Sequence, residues 1–240
     1  MSGAPGGAPT DPEAAPDIGA IASAARLGAL LGESVPDAVG ASKVPEALAD
    51  AARDLLDAVV STAVDEAEQR RVTALLRDAT DALRASRRDP VIALVRHPDG
   101  RLENLTQAGS GRWNPRAPAL RFPVLPEPPR PGAPFRPVEV TGTVGLGASC
   151  GGGPSRAHGG VVAGVLDEAL GVAAAAAGVS GLTVAVEVRY RAGTPLGVPL
   201  RVTARCDRVE GRKRYASGEL WNGAQLLAEA TAVYVAERED

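Results

Sequence analysis

Apolar and polar positions follow two different rhythms along this chain, and the change of rhythm divides it. After Pro45 and Glu46, residues Ala47, Leu48, Ala51, Leu55, Ala58 and Val59 recur at three- and four-residue steps. From 64 to 87 the pattern returns in Ala67, Val72, Leu75, Leu76, Ala79 and Leu83. That spacing gathers apolar side chains on one side of an α-helix, and Arg84, Arg87 and Arg88 suit the negative end of the second helix. The two runs predict an antiparallel helical pair with a structural or oligomerisation role. Asp89-Pro90 ends it.

From 138 the rhythm changes. A strand is expected over 138–146, a flexible loop over 147–153 and a helix over 159–177 that stops at Gly178. Residues 182–190 alternate, with Val184, Val186, Val188 and Tyr190 on one side and Thr183, Ala185, Glu187 and Arg189 on the other. Alternation of this kind reads as a strand with one buried face. Three more strands follow over 200–209, 213–221 and 226–235, with turns at Gly211 and Asn222-Gly223. One helix beside such a sheet covers one face only, so other parts of the chain or a second subunit must cover the rest.

Between these regions, 109–137 is rich in proline and suits an extended connection, with Trp113, Leu120 and Phe122 as anchors. His97 precedes the turn signal Pro98-Asp99-Gly100 and reads as an exposed residue without a function. The resulting division is a disordered tail over 1–16, a helical region over 17–88, a Pro-rich connecting segment over 89–137 and an α+β unit over 138–237.

Composition changes this picture little. Apolar residues make up 45% of the 240 and aromatics only 3%, so the core must be built from Val, Leu and Ala. With 26 basic and 29 acidic residues, nothing marks a nucleic-acid or membrane-surface binder. Cys150 and Cys206 stand alone and the only histidines are His97 and His158, which gives no metal-site spacing. No membrane span is expected from the apolar runs, and the opening residues are not expected to be a secretory signal. A cytoplasmic protein without a cofactor is expected.

Candidate chemistry concentrates at 158–171. Gly159 and Gly160 open the helix and expose backbone N–H groups that can stabilise an oxyanion. Helical steps from Asp167 reach Gly160, Gly164 and Gly171, a stripe of small residues that lets a ligand or another element come close. A carboxylate there is a candidate base or nucleophile. Glu168, on the stripe of Val161, Val165 and Val172, is a second candidate acid.

HGGVVAGVLDEALG, with His158 nine residues before Asp167 and Thr183 sixteen after it, resembles the hotdog-fold acyl-CoA thioesterases of the phenylacetate-pathway type. The similarity runs over about 109–237. It implies an α+β hotdog fold, a long helix wrapped by a curved antiparallel sheet, which the helical region over 17–88 would precede. It also implies a homodimer or dimer of dimers, with sites at the subunit interface and Thr183 reaching the acid from the partner.

Under that resemblance Asp167, Thr183, His158 and Gly160 are the catalytic set, and Gly159 and Glu168 line the substrate. Arg191, Arg212 and Lys213, with Arg189 and Arg214 beside them, are candidate partners for the phosphates of an acyl-CoA. Where the relatives carry Glu-Gly-Pro-Pro-Gly, this chain has Gly151-Gly152-Gly153-Pro154-Ser155, which implies a more flexible loop without the acid's contacts. A hotdog hydratase or dehydratase and a non-catalytic acyl-CoA-binding scaffold are the alternatives.

Overall fold

The computed structural model describes residues 35–236, apart from 90, 128, 131 and 132. The tail expected over 1–16, the start of the helical region over 17–34 and residue 237 lie outside the described residues.

Helix α1 spans Val44–Ser61, with Pro45 in its first turn. Helix α2 spans Glu66–Arg84; the Asp65 carboxylate accepts the Glu68 N–H at 2.9 Å, which satisfies one of the unpaired donors at its start. Both helices form, but they do not pack side by side as expected. α1 turns towards the rest of the chain and buries Ala49, whereas α2 buries none of its residues. Polar anchors explain the difference. The Arg53 guanidinium donates to the carbonyls of Arg112, Asn114 and Ala117 at 3.1–3.3 Å. Arg112 in turn donates to Glu46 at 2.9 Å and to Glu103 at 3.0 Å.

His97 belongs to the same network. It sits in the hairpin of β1 (Leu94–Arg96) and β2 (Leu102–Asn104), half-buried, with Nε2 2.7 Å from Glu103. Burial pushes the Glu103 carboxyl up, but hydrogen bonds from Arg112 and His97 outweigh it and hold the group below its ordinary value. The expectation of an exposed histidine is therefore corrected.

The C-terminal unit holds a five-stranded antiparallel sheet. Its strands are β3 (Val138–Gly145), β6 (Leu182–Tyr190), β7 (Pro199–Glu210), β8 (Lys213–Asn222) and β9 (Gln225–Val235), in spatial order β3-β7-β8-β9-β6. Gly211 and Gly223 carry the left-handed φ that the two hairpin turns demand, +54° and +56°. Helix α3 (Gly159–Ala176) lies against the inner face. Val162, Val165, Leu166, Ala169, Leu170 and Ala173 recur at three- and four-residue steps and are buried against Val202, Ala204, Leu220, Ala228, Ala230 and Ala232. Small strand residues let the helix sit close; a Cβ on Gly218 would stand 3.1 Å from Leu170 Cδ2. The Pro-rich connection runs along the outside of β3, with Arg121 and Thr143 exchanging hydrogen bonds at 2.8 and 2.9 Å. Leu120 is buried in the core, Phe122 packs on it, and Trp113 lies under the Arg88 guanidinium.

Two expectations change here. Residues 182–190 form the strand, but it has no buried face within the chain: β6 is an edge with β9 alone beside it, and Val184, Val186 and Tyr190 are exposed. The loop over 147–153 is a built structure, with a 3₁₀ turn at Ala148–Cys150 and β4 (Gly151–Gly153) pairing with β5 (Arg156–Ala157). Ser155, in the turn between these short strands, has φ +54°. A side chain there costs energy that glycine avoids, so Ser155→Gly is expected to raise stability by about 0.5–1 kcal/mol, read as a higher denaturant midpoint at unchanged slope.

Candidate active site

The start of α3 is capped by its own neighbour. His158 is extended (φ −65°, ψ 135°), and its Nδ1 accepts the Gly160 N–H at 3.0 Å. Accepting at Nδ1 assigns the ring proton of the neutral imidazole to Nε2. Gly160, expected to offer its N–H to an oxyanion, thus gives it to His158. The Gly159 N–H has no acceptor among the described residues. Tyr190 on β6 donates its hydroxyl to the Gly159 carbonyl at 2.8 Å. Gly152 packs on His158 so closely that a Cβ would lie 2.5 Å from the His158 Cα.

Further along α3, the Asp167 carboxylate accepts the Thr183 hydroxyl at 3.2 Å, within one chain. The expectation that Thr183 reaches the acid from a partner is thereby corrected. The cause is a bulge in β6. Thr183 pairs with Tyr234 and Ala185 with Val233, leaving Val184 extra. The extra residue moves Thr183 off the side of Ala185, Glu187 and Arg189 and onto the helix side, with Val186, Val188 and Tyr190. Tyr234, 2% exposed, lies beneath and donates its hydroxyl to the Asp167 carbonyl at 3.0 Å. Burial, with the Asp167 charge nearby, pushes the Tyr234 phenol well above its ordinary value and keeps it a neutral donor. A Cβ at Gly164 would meet nothing within 4 Å, so the glycine stripe leaves open space beside the acid.

Asp167 and Gly160 are seven residues apart on one helix, which separates them by about 10.5 Å along its axis. Glu168 points elsewhere. Its two oxygens accept from Ser110 Oγ at 2.5 Å and Gln107 Nε2 at 2.7 Å, and a Cβ on Gly109 would overlap the carboxylate. Glu168 therefore ties the connecting segment to α3.

The expected cations are not gathered in one chain. Arg191 pairs with Glu229, Arg189 with Glu187, Arg212 donates to the Ala236 carbonyl at 2.7 Å and Arg214 to the Gly211 carbonyl at 2.9 Å. Lys213 is exposed and pairs in register with Val235, opposite the Leu182 end of β6, while Arg191 follows its other end. An open concavity of about 370 Å³ lies on the sheet face away from α3, lined by Glu139, Glu187, Glu219 and Glu229 among others. Four carboxylates outnumber the two guanidiniums, of Arg189 and Arg205, that share the lining, which makes it a poor seat for a polyanion. Cys150 and Cys206 are free thiols; burial pushes both up, Cys206 to about 11. Against the expectation that no run reaches a membrane span, α3 is long and apolar enough to cross one by length and composition, but its apolar stripe is spent on the sheet.

The crystal structure of the thioesterase superfamily protein RHA08564 matches with 30% identity and a TM-score of 0.66, over 84% of this chain and 93% of the other. The chain belongs to the thioesterase superfamily. The thioesterase superfamily model itself matches residues 155–229, which include Asp167 and Thr183. Residues 138–240 are less than half of the 240, so the likeness to RHA08564 extends into the segment before the sheet.

Thioesterase superfamily member 2 from Mus musculus is 18% identical, with a TM-score of 0.40 over 42% of this chain and 76% of its own. A hypothetical thioesterase from Streptococcus pneumoniae, solved with coenzyme A, is 16% identical, with a TM-score of 0.43 over 50% and 91%. No curated protein matches.

Sequence reasoning about this thioesterase superfamily member missed Tyr190 and Tyr234. Both stand near strand ends on the helix side of the sheet, and a tyrosine there with a hydroxyl to satisfy was the available signal.

Proposed function

We propose that this protein hydrolyses acyl-CoA thioesters, with Asp167 as the general base. The observation that carries the reading is the Thr183–Asp167 pair, re-aimed by the bulge and backed by Tyr234, in a chain of the thioesterase superfamily. Thr183 holds Oδ1, which leaves Oδ2 to take a proton from water. The resulting hydroxide adds to the thioester carbonyl. Collapse of the oxyanion breaks the C–S bond, and the CoA thiolate leaves to be protonated, giving free acid and CoA.

An oxyanion needs N–H donors within about 3 Å while the base stays near the attacking water. The seven-residue separation on α3 prevents one chain from doing both. We infer a homodimer in which β6 edges pair, so that Asp167 and Thr183 of one chain face His158 and Gly159-Gly160 of another. An unpaired edge with exposed Val184, Val186 and Tyr190 supports this. Antiparallel pairing would also bring the Arg191 end of one β6 towards the Arg212-Lys213 end of the other, gathering cations for CoA phosphates.

The test is thiol release over a panel of acyl-CoA esters of increasing chain length. Release of free CoA from at least one member is expected. Tight binding without release would favour the scaffold reading, and addition of water across a 2-enoyl-CoA without thiol release the hydratase reading.

A further inference from the structure

We propose that Asp57, on the N-terminal helix α1, is a positioning residue for the start of α3. Its carboxylate accepts the Ser149 N–H at 2.8 Å. It also fills the hollow left by Gly147, where a Cβ would overlap it. Hydrogen bonds from the Ser149 hydroxyl and backbone hold the Asp57 carboxyl below its ordinary value, so the charged form is the one bound.

From this contact a run of hydrogen bonds leads to the start of α3, where the Gly159 N–H is the candidate oxyanion donor. The Cys150 N–H donates to the Gly147 carbonyl at 3.1 Å, closing the 3₁₀ turn that Asp57 grips. The Cys150 carbonyl accepts the His158 N–H at 2.8 Å, and His158 Nδ1 accepts the Gly160 N–H. Gly152, pressed on the His158 Cα, permits no slack between turn and helix. The 147–158 loop carries four glycines, Gly147, Gly151, Gly152 and Gly153, so its own backbone resists movement poorly. A charged acceptor brought from α1 supplies the restraint. α1 is itself fixed by Arg53 on three carbonyls, which makes it a rigid arm for that carboxylate. The N-terminal helix thus acts on the site through the loop, without touching substrate.

The kinetic part of this proposal rests on the thioesterase reading; the structural part does not. The experiment compares full-length Asp57→Ala, Asp57→Asn and Arg53→Ala with the unaltered protein, by steady-state thiol release and by hydrogen exchange. Asp57→Ala is expected to speed exchange of amides within 147–160 and to lower kcat about 10- to 100-fold with KM changed less. Asp57→Asn, which keeps one acceptor oxygen, recovers part of both. Arg53→Ala is expected to loosen 44–61 and 111–117 with a smaller kcat loss. Exchange changes confined to 44–61, or equal effects of Asp57→Ala and Arg53→Ala at 147–160 and on kcat, would overturn the proposal. If the unaltered protein releases no thiol, the thioesterase reading fails, and exchange at 147–160 still decides whether Asp57 holds the loop.

Discussion

Asp167→Asn is expected to cut the rate of thiol release by about 10²–10⁴-fold, the range that a positioned general base contributes. The substitution keeps size and hydrogen-bonding reach, so Thr183 still has an acceptor and Tyr234 still donates to the backbone carbonyl. Stability should change little, because Asp167 is only half-buried at the margin of the core. Binding of a non-hydrolysable acyl-CoA analogue should persist, which places the loss in the chemical step. Glu168→Gln should behave in the opposite manner. Its carboxylate is taken up by Ser110 and Gln107, so the change weakens the join between the connecting segment and α3 rather than the chemistry.

Leu170→Ala is expected to cost about 2–5 kcal/mol in stability, measured by denaturant unfolding. Leu170 has no solvent exposure and sits where α3 meets β8, against Gly218. The void cannot close readily, because the facing positions Ala204, Ala216 and Gly218 are already small and the backbone between them is tied by the β7–β8 register. A loss below about 1 kcal/mol would mean that the helix shifts to fill the gap.

Much of the fold was legible because its signals are periodic. The five long strands, α1, α2 and α3 follow from two- and three-to-four-residue rhythms, and Gly178, Gly211 and Gly223 mark ends and turns through the φ they adopt. The candidate acid was legible through its spacing from His158 and Thr183. What escaped are features that depend on single residues without rhythm. Nothing in the alternation over 182–190 reveals the extra Val184, yet that residue decides which side Thr183 faces. Asp50, Asp54 and Asp57 look alike on a helical wheel, and only the placement of α1 selects Asp57. The docking of α1 by Arg53 and Arg112 is polar and long-range, so an apolar pattern could not announce it and suggested a helical pair instead. A half-buried Glu103–His97 contact likewise leaves no mark beyond two residues six apart.

The central claim is that Asp167 of one chain and the start of α3 of another act on the same thioester, and mixed dimers test it most directly. Asp167→Asn lacks the base. Gly160→Pro removes the N–H that orients His158, at a first-turn position where proline is tolerated. Each alone should be nearly inactive. Co-expressed and randomly paired, half of the dimers are mixed and each mixed dimer regains one intact site, so about a quarter of the unaltered activity should return. No recovery, with mixed dimers shown to form, would mean that both groups must lie in one chain and would contradict the account.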